Sequence, residues 1–132
     1  MAKIRHIALS TQDPDKTAKF YIDVFGLKQV GRVDSPGASG YYLTDGDINL
    51  AILKFKSDAV AGVERGKDWS GLHHFGFQVD DIAATQKKIE ARGGKFFFDL
   101  GHDQEKENFE RKFKDPDGII FDISKKGWLG TK

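Results

Sequence analysis

The sequence predicts an α+β fold: two tandem βαβββ modules whose strands form a cupped mixed sheet around a cleft, with the helices on the outer face. Three observations predict it. Two stretches, RHIALSTQDPDKTAKFYIDVFG and LHHFGFQVDDIAATQKKIEARGG, have the same layout, with His6 and His74 placed 68 residues apart. In each, a strand-like alternation gives way to a helix-like spacing of apolar residues. Each is then followed by runs of alternating residues punctuated by turn signals. A long period occurring twice makes a pseudo-symmetric domain; a solenoid needs three or more short units.

The first module covers about residues 1–55. From His6 to Ser10 the chain alternates, with Ile7 and Leu9 on one face and His6, Ala8 and Ser10 on the other. Asp13 suits a helix N-cap, because its carboxylate accepts from backbone N–H groups that have no intrahelical partner, and Pro14 suits the first turn. Ala18, Tyr21 and Phe25, with Thr17, Phe20 and Val24, form an apolar stripe at helical spacing. Gly26 is placed to end the helix in the left-handed conformation. LKQVGRV (27–33) reads as a strand, and GYYLTDGDINLAILKF as two more around a tight Asp45-Gly46 turn.

Residues 56–71 read as an irregular crossover, and the second module, about 72–126, repeats the design. Phe75, Phe77 and Val79 form its apolar strand face; His74, Gly76 and Gln78 form the other. Asp81 caps a helix carrying Ile82, Thr85 and Ile89 and ending near Gly93 and Gly94. KFFFDL (95–100) is a strand, and FERKFKDPDGIIFDISKK supplies two more around Asp115–Gly118. His73 falls in the opposite phase to His74 and is expected at the rim of the strand.

Amphipathic helices must cover the apolar strand faces. The opposite faces, with His6, Ala8, Ser10, His74, Gly76 and Gln78, are small and polar and are expected to line an accessible cleft. In IIFDISKK, Asp122 falls in the phase opposite to Phe121 and Ile123, so it points to the same side. Two imidazoles and one carboxylate with open coordination positions suit Fe(II), Mn(II) or Zn.

Composition excludes several other classes. The 132 residues carry 21 Lys and Arg against 20 Asp and Glu, a formal charge of +1, which gives no electrostatic case for nucleic acid or an anionic membrane. There is no cysteine, hence no disulfide, thiolate metal site or cysteine nucleophile. No long apolar run points to secretion or a membrane span, so a cytoplasmic location is expected. Phosphate-binding glycine loops, the GxSxG elbow and HExxH do not occur.

HIALSTQDPDKTAKFYIDVFGL, LHHFGFQVDDI and KDPDGIIFDIS together resemble the vicinal oxygen chelate superfamily, over nearly the whole chain. That group includes glyoxalase I, extradiol dioxygenases, fosfomycin-resistance proteins, methylmalonyl-CoA epimerase and bleomycin-resistance proteins. The resemblance implies metal ligands at His6, His74 and Asp122, the last a position that most metal-binding relatives fill with Glu. The family's fourth ligand position falls on Ala51, or on Leu50, neither of which binds metal. This pattern of two His and one carboxylate is closest to the extradiol dioxygenases and fosfomycin-resistance proteins. The expectation is therefore a divalent-metal enzyme acting on a small oxygenated molecule, preferably an Fe(II) extradiol dioxygenase, with Mn, Zn or Ni as other ions. A fosfomycin-resistance-like or glyoxalase-like lyase or transferase is the alternative. A metal-free small-molecule binder like the bleomycin-resistance members is another. Tyr41, Tyr42 and His102 are candidate catalytic groups, the tyrosines as oxyanion donors and the histidine as a proton shuttle. The edges of the half-sheets lead us to expect a homodimer.

Overall fold

The computed structural model describes residues 1–99, 101 and 103–132. The catalytic expectation at His102 lies outside these residues. The element order is β1 (Lys3–Ser10), α1 (Pro14–Phe25), β2 (Lys28–Asp34), β3 (Ala38–Thr44), β4 (Asn49–Phe55), α2 (Asp58–Ala61), β5 (Gly71–Gln78), α3 (Ile82–Ala91), β6 (Lys95–Asp99), β7 (Arg111–Lys114) and β8 (Ile120–Ser124). Strand, helix and three strands thus occur twice, as the repeat predicts. The crossover expected to be irregular contains the one-turn helix α2, whose N-cap Ser57 accepts from Val60 N. Among the described residues no helix is long and apolar enough to cross a membrane.

The chain divides into two compact units, one of Met1–His6 with His74–Trp128, the other of Ile7–His73 with Leu129–Lys132. In the first unit β5 pairs with β8 in parallel, setting Gly76 beside Asp122. Strand β7 runs antiparallel to β8 with Lys112 opposite Asp122, and β6 pairs antiparallel with β7. Helix α3 begins where the Asp81 carboxylate accepts from Ala84 N at 3.0 Å. Its Ile82 packs with Val79, Phe109, Phe113 and Ile123, and Phe77 and Phe121 border that core.

In the second unit β2, β3 and β4 form an antiparallel meander. Asp45 and Gly46 open a longer connection than the tight turn expected: the Asp45 carboxylate accepts from Asp47 N at 2.9 Å and Ile48 N at 2.8 Å. Helix α1 starts on Asp13, which accepts from Lys16 N at 3.1 Å, and ends at Gly26 with φ of 70°. Its inner face is narrower than the sequence stripe. Ala18 is buried with Leu43 and Ile52, and Tyr21 and Ile22 pack beside them, but Phe20, Val24 and Phe25 are exposed. At 100° per residue Phe20 and Val24 lie roughly 110–150° round the helix from the face of Ala18, Tyr21 and Ile22, whereas Phe25, in line with that face, is the last residue of α1.

One expectation about the strand faces is reversed. The small and polar face was expected to stay accessible, yet His6, Ala8, Ser10, His74, Gly76 and Asp122 are all buried. Ile7, Leu9, Phe75, Phe77 and Phe121, on the helix-covered side, are only half-buried. In the first unit the cause is local. The Trp128 indole, beyond β8, stacks on the His6 ring at 4.6 Å with an interplanar angle of 5°. Gly76 makes room for it: a Cβ there would stand 2.7 Å from Trp128 Cη2.

Candidate metal centre

Three strands of the first unit bring His6, His74 and Asp122 together. One ligand atom of each lies within 4.8 Å of the other two, and all three side chains are buried. Strand alternation does this: His74 and Gly76 share a face of β5, and Gly76 is the register partner of Asp122 on β8. His6 Nε2 is 3.2 Å from His74 Nε2. Asp122 Oδ2 is 3.1 Å from His74 Nε2 and 3.7 Å from His6 Nε2.

These separations bear on what the cluster can hold. An ion bound at about 2.0–2.2 Å to each of three donors sets neighbouring donors about 2.8–3.6 Å apart, across octahedral or tetrahedral angles. Two of the three edges fall in that range and the third is slightly long. Asp122 Oδ2 is a buried oxygen that accepts no hydrogen bond among the described residues. A carboxylate oxygen in that condition beside two imidazole nitrogens is a donor set that fits a divalent cation.

The cluster has further members that the sequence reading did not single out. Lys112 Nζ donates to Asp122 Oδ1 at 2.8 Å and lies 3.3 Å from His74 Nε2. Glu110 Oε2 is 3.3 Å from the same ammonium. Glu110 Oε1 accepts from Trp128 Nε1 at 2.7 Å and lies 3.5 Å from His6 Nε2. Lys112 is 4% exposed, Glu110 5% and Trp128 1%, so this is an internal network of charges. Burial alone would lower the Lys112 pKa, but the negative charges of Asp122 and Glu110 and their hydrogen bonds outweigh it and raise it above the ordinary lysine value. Lysine and glutamate are read by default as surface residues. The available signal was the hairpin register: counting back from the Asp115–Gly118 turn sets Lys112 opposite Asp122, with Glu110 in the same phase.

The other candidates lie in the second unit. Tyr41 faces helix α1, where its hydroxyl donates to Asp15 Oδ1, which raises its pKa above the ordinary tyrosine value. With Asp15, Ala18 and Gln29 it lines a hollow of about 270 Å³. Tyr42, on the opposite face of β3, packs against the core formed by Ala8, Ala38, Ala51 and Leu53. His73 donates from Nε2 to the Ala61 carbonyl and its ring rests on Phe55 at 4.4 Å.

Comparison with known proteins agrees with the fold. Residues 3–123 match the Glyoxalase/Bleomycin resistance protein/Dioxygenase superfamily. A probable chloroplastic lactoylglutathione lyase of Arabidopsis thaliana is 28% identical over 131 residues, which cover 95% of this chain and 36% of that protein. The chain therefore spans little more than a third of that relative. A probable lactoylglutathione lyase of Synechocystis is 27% identical over 127 residues, covering 89% of this chain and 91% of that one. Among solved structures, a Streptomyces coelicolor methylmalonyl-CoA epimerase in complex with 2-nitronate-propionyl-CoA superposes with a TM-score of 0.73 at 20% identity, covering 96% and 97% of the two chains. At that identity the likeness is one of fold. The paired βαβββ units and a match over nearly the whole length make this chain a member of the glyoxalase/bleomycin resistance protein/dioxygenase superfamily, the vicinal oxygen chelate fold.

Proposed function

We propose that the chain is a divalent-metal-dependent lyase or isomerase of the glyoxalase type, acting on a small molecule with two neighbouring oxygen atoms. The observation that carries this reading is the convergence of His6 Nε2, His74 Nε2 and Asp122 Oδ2 at donor-to-donor spacings of 3.1–3.7 Å. The names of the Arabidopsis and Synechocystis relatives support the reaction class, with a thioester of a 2-hydroxy acid as the product type. A bound divalent ion would polarise the substrate oxygens and hold the negative charge that develops when a neighbouring carbon loses its proton.

The chain's own residues prepare that chemistry. Asp122 turns Oδ2 toward the imidazoles, 3.1 Å from His74 Nε2, while its other oxygen accepts from Lys112. Trp128 stacks on His6 and excludes water from that side of the ring. Glu110 is the second carboxylate of the cluster, 3.5 Å from His6 Nε2, and it anchors the Trp128 indole that covers the ring. The test is direct: protein loaded with Ni²⁺, Zn²⁺ or Mn²⁺ is given a 2-oxoaldehyde with glutathione, and thioester formation is followed. Turnover that His74→Ala abolishes supports the reading. No thioester from metal-loaded protein, across several oxoaldehydes, removes it.

A second reading is an Fe(II) extradiol dioxygenase, and Ala51 favours it. A methyl group stands where the family resemblance expects a fourth donor, so two imidazoles and one carboxylate leave adjacent coordination positions open. Oxygen uptake by anaerobically Fe(II)-loaded protein on a panel of catechols separates this reading from the lyase.

A further inference from the structure

We propose that Lys112 is a built-in competitor for the metal: its side chain occupies Asp122, and a divalent ion enters the His6, His74 and Asp122 donors only as the lysine is drawn back onto Glu110. This rests on the metal-dependent reading of the site. Lys112 Nζ is 2.8 Å from Asp122 Oδ1, the one carboxylate of the donor set, and 3.3 Å from His74 Nε2, a second member of that set. A positive charge thus already stands in contact with two of the three donors, buried away from solvent screening. Two cations at such short range repel strongly, because little water lies between them to weaken the field.

The network also provides the retreat. Glu110 Oε2 is already 3.3 Å from Lys112 Nζ, and Glu110 is fixed by the hydrogen bond from Trp128 Nε1 at 2.7 Å. Glu110 and Lys112 stand two residues apart and in the same strand phase, so a short movement of the unbranched lysine stem exchanges one carboxylate for the other. The Phe98 ring, 5.9 Å from Nζ, adds a weaker contact for the cation. Asp122 and Glu110 together carry two negative charges against the one positive charge of Lys112. An ion that enters at Asp122 Oδ2 and His74 Nε2 therefore meets the ammonium at close range, and its repulsion is relieved only as the lysine moves onto Glu110.

The test is calorimetric titration of the full chain with Zn²⁺ and with Mn²⁺, as wild type, Lys112→Met, and the double variant Glu110→Gln/Lys112→Met. Methionine keeps the length of the stem without the charge. The double variant keeps the formal charge of the pair and relieves the burden of an unpaired Glu110, so it folds under milder demands than the single one. Competition predicts that both variants bind metal at least about tenfold more tightly than wild type. It also predicts that His74→Ala abolishes the gain. In the wild type, the nitrogen NMR signal of Lys112 Nζ should move as Zn²⁺ is added. Equal or weaker binding by the variants, with wild-type binding still dependent on His74, overturns the competition and leaves the metal-dependent reading intact. An unmoved Lys112 signal in metal-saturated wild type overturns it as well. No binding in any form overturns the metal-dependent reading, and the competition with it.

Discussion

Replacing Gly76 by alanine puts a methyl group into space that the Trp128 indole already fills. The new Cβ would lie 2.7 Å from Trp128 Cη2, 2.8 Å from Cζ2 and 3.2 Å from His6 Cβ. Contacts below 3.0 Å require something to move. The indole cannot yield freely, because it is stacked on His6 and its Nε1 is bonded to the buried Glu110 at 2.7 Å. Gly76 does not have a positive φ, so the penalty is contact and not backbone strain. Overpacking of this kind costs about 1–3 kcal/mol. If the indole tilts enough to lose its bond to a charged acceptor, roughly 1.5–3 kcal/mol is added. Overpacking alone lowers Tm by roughly 4–12 °C for a chain of this length, and with the bond lost the total of about 2.5–6 kcal/mol lowers it by roughly 10–24 °C. The assay is thermal and urea unfolding of wild type, Gly76→Ala, Trp128→Leu and the double variant. In the Trp128→Leu background the alanine should cost much less, since both contacts under 3.0 Å are gone and only His6 Cβ at 3.2 Å remains. A Gly76→Ala protein as stable as wild type, or one whose loss is the same whether residue 128 is tryptophan or leucine, would refute the reasoning.

Asp122→Asn removes the closer of two carboxylates from a buried ammonium; Glu110 remains, so we expect a loss of about 2–4 kcal/mol in urea unfolding, somewhat below that of a wholly orphaned buried charge. The same substitution should reduce bound metal in elemental analysis. Asp45, whose pKa is lowered by the backbone N–H groups of Ile48 and Asp47, contributes stability above its unfolded value of 3.8. That contribution is lost as pH falls through the lower folded value, so the stability gap between wild type and Asp45→Ala should be present at neutral pH and close in acid. We predict a homodimer in which exposed Phe20 and Val24, one turn apart on α1, are buried; sedimentation should show a dimer that Phe20→Ser with Val24→Ser weakens, and a monomer at micromolar concentration would contradict it.

Much of the architecture was legible because it is written in local signals. Asp13 and Asp81 precede helices and accept from the N–H groups three residues on, and Gly26 ends α1 in the left-handed conformation. The repeat carried the order of strands, and strand phase was enough to bring His6, His74 and Asp122 to one cluster. What was not legible is non-local. Trp128 reaches His6 across 122 positions of sequence, and it covers His6 and Gly76 on a face that the strand pattern alone leaves open. Nothing in RHIALS or HHFGFQ announces the indole; Gly76 looked like a residue of an open surface, and its role is to admit a ring. Glu110 and Lys112 were passed over because charged residues are most often solvated, and only the register of β7 against β8 turns them inward.

The most direct test of the account is an anomalous-diffraction map of crystals soaked in excess Zn²⁺ or Mn²⁺. The account predicts one peak bounded by His6 Nε2, His74 Nε2 and Asp122 Oδ2, with Lys112 shifted from Asp122 toward Glu110. A saturating soak that leaves no peak at these atoms, with Lys112 still bonded to Asp122, would contradict it.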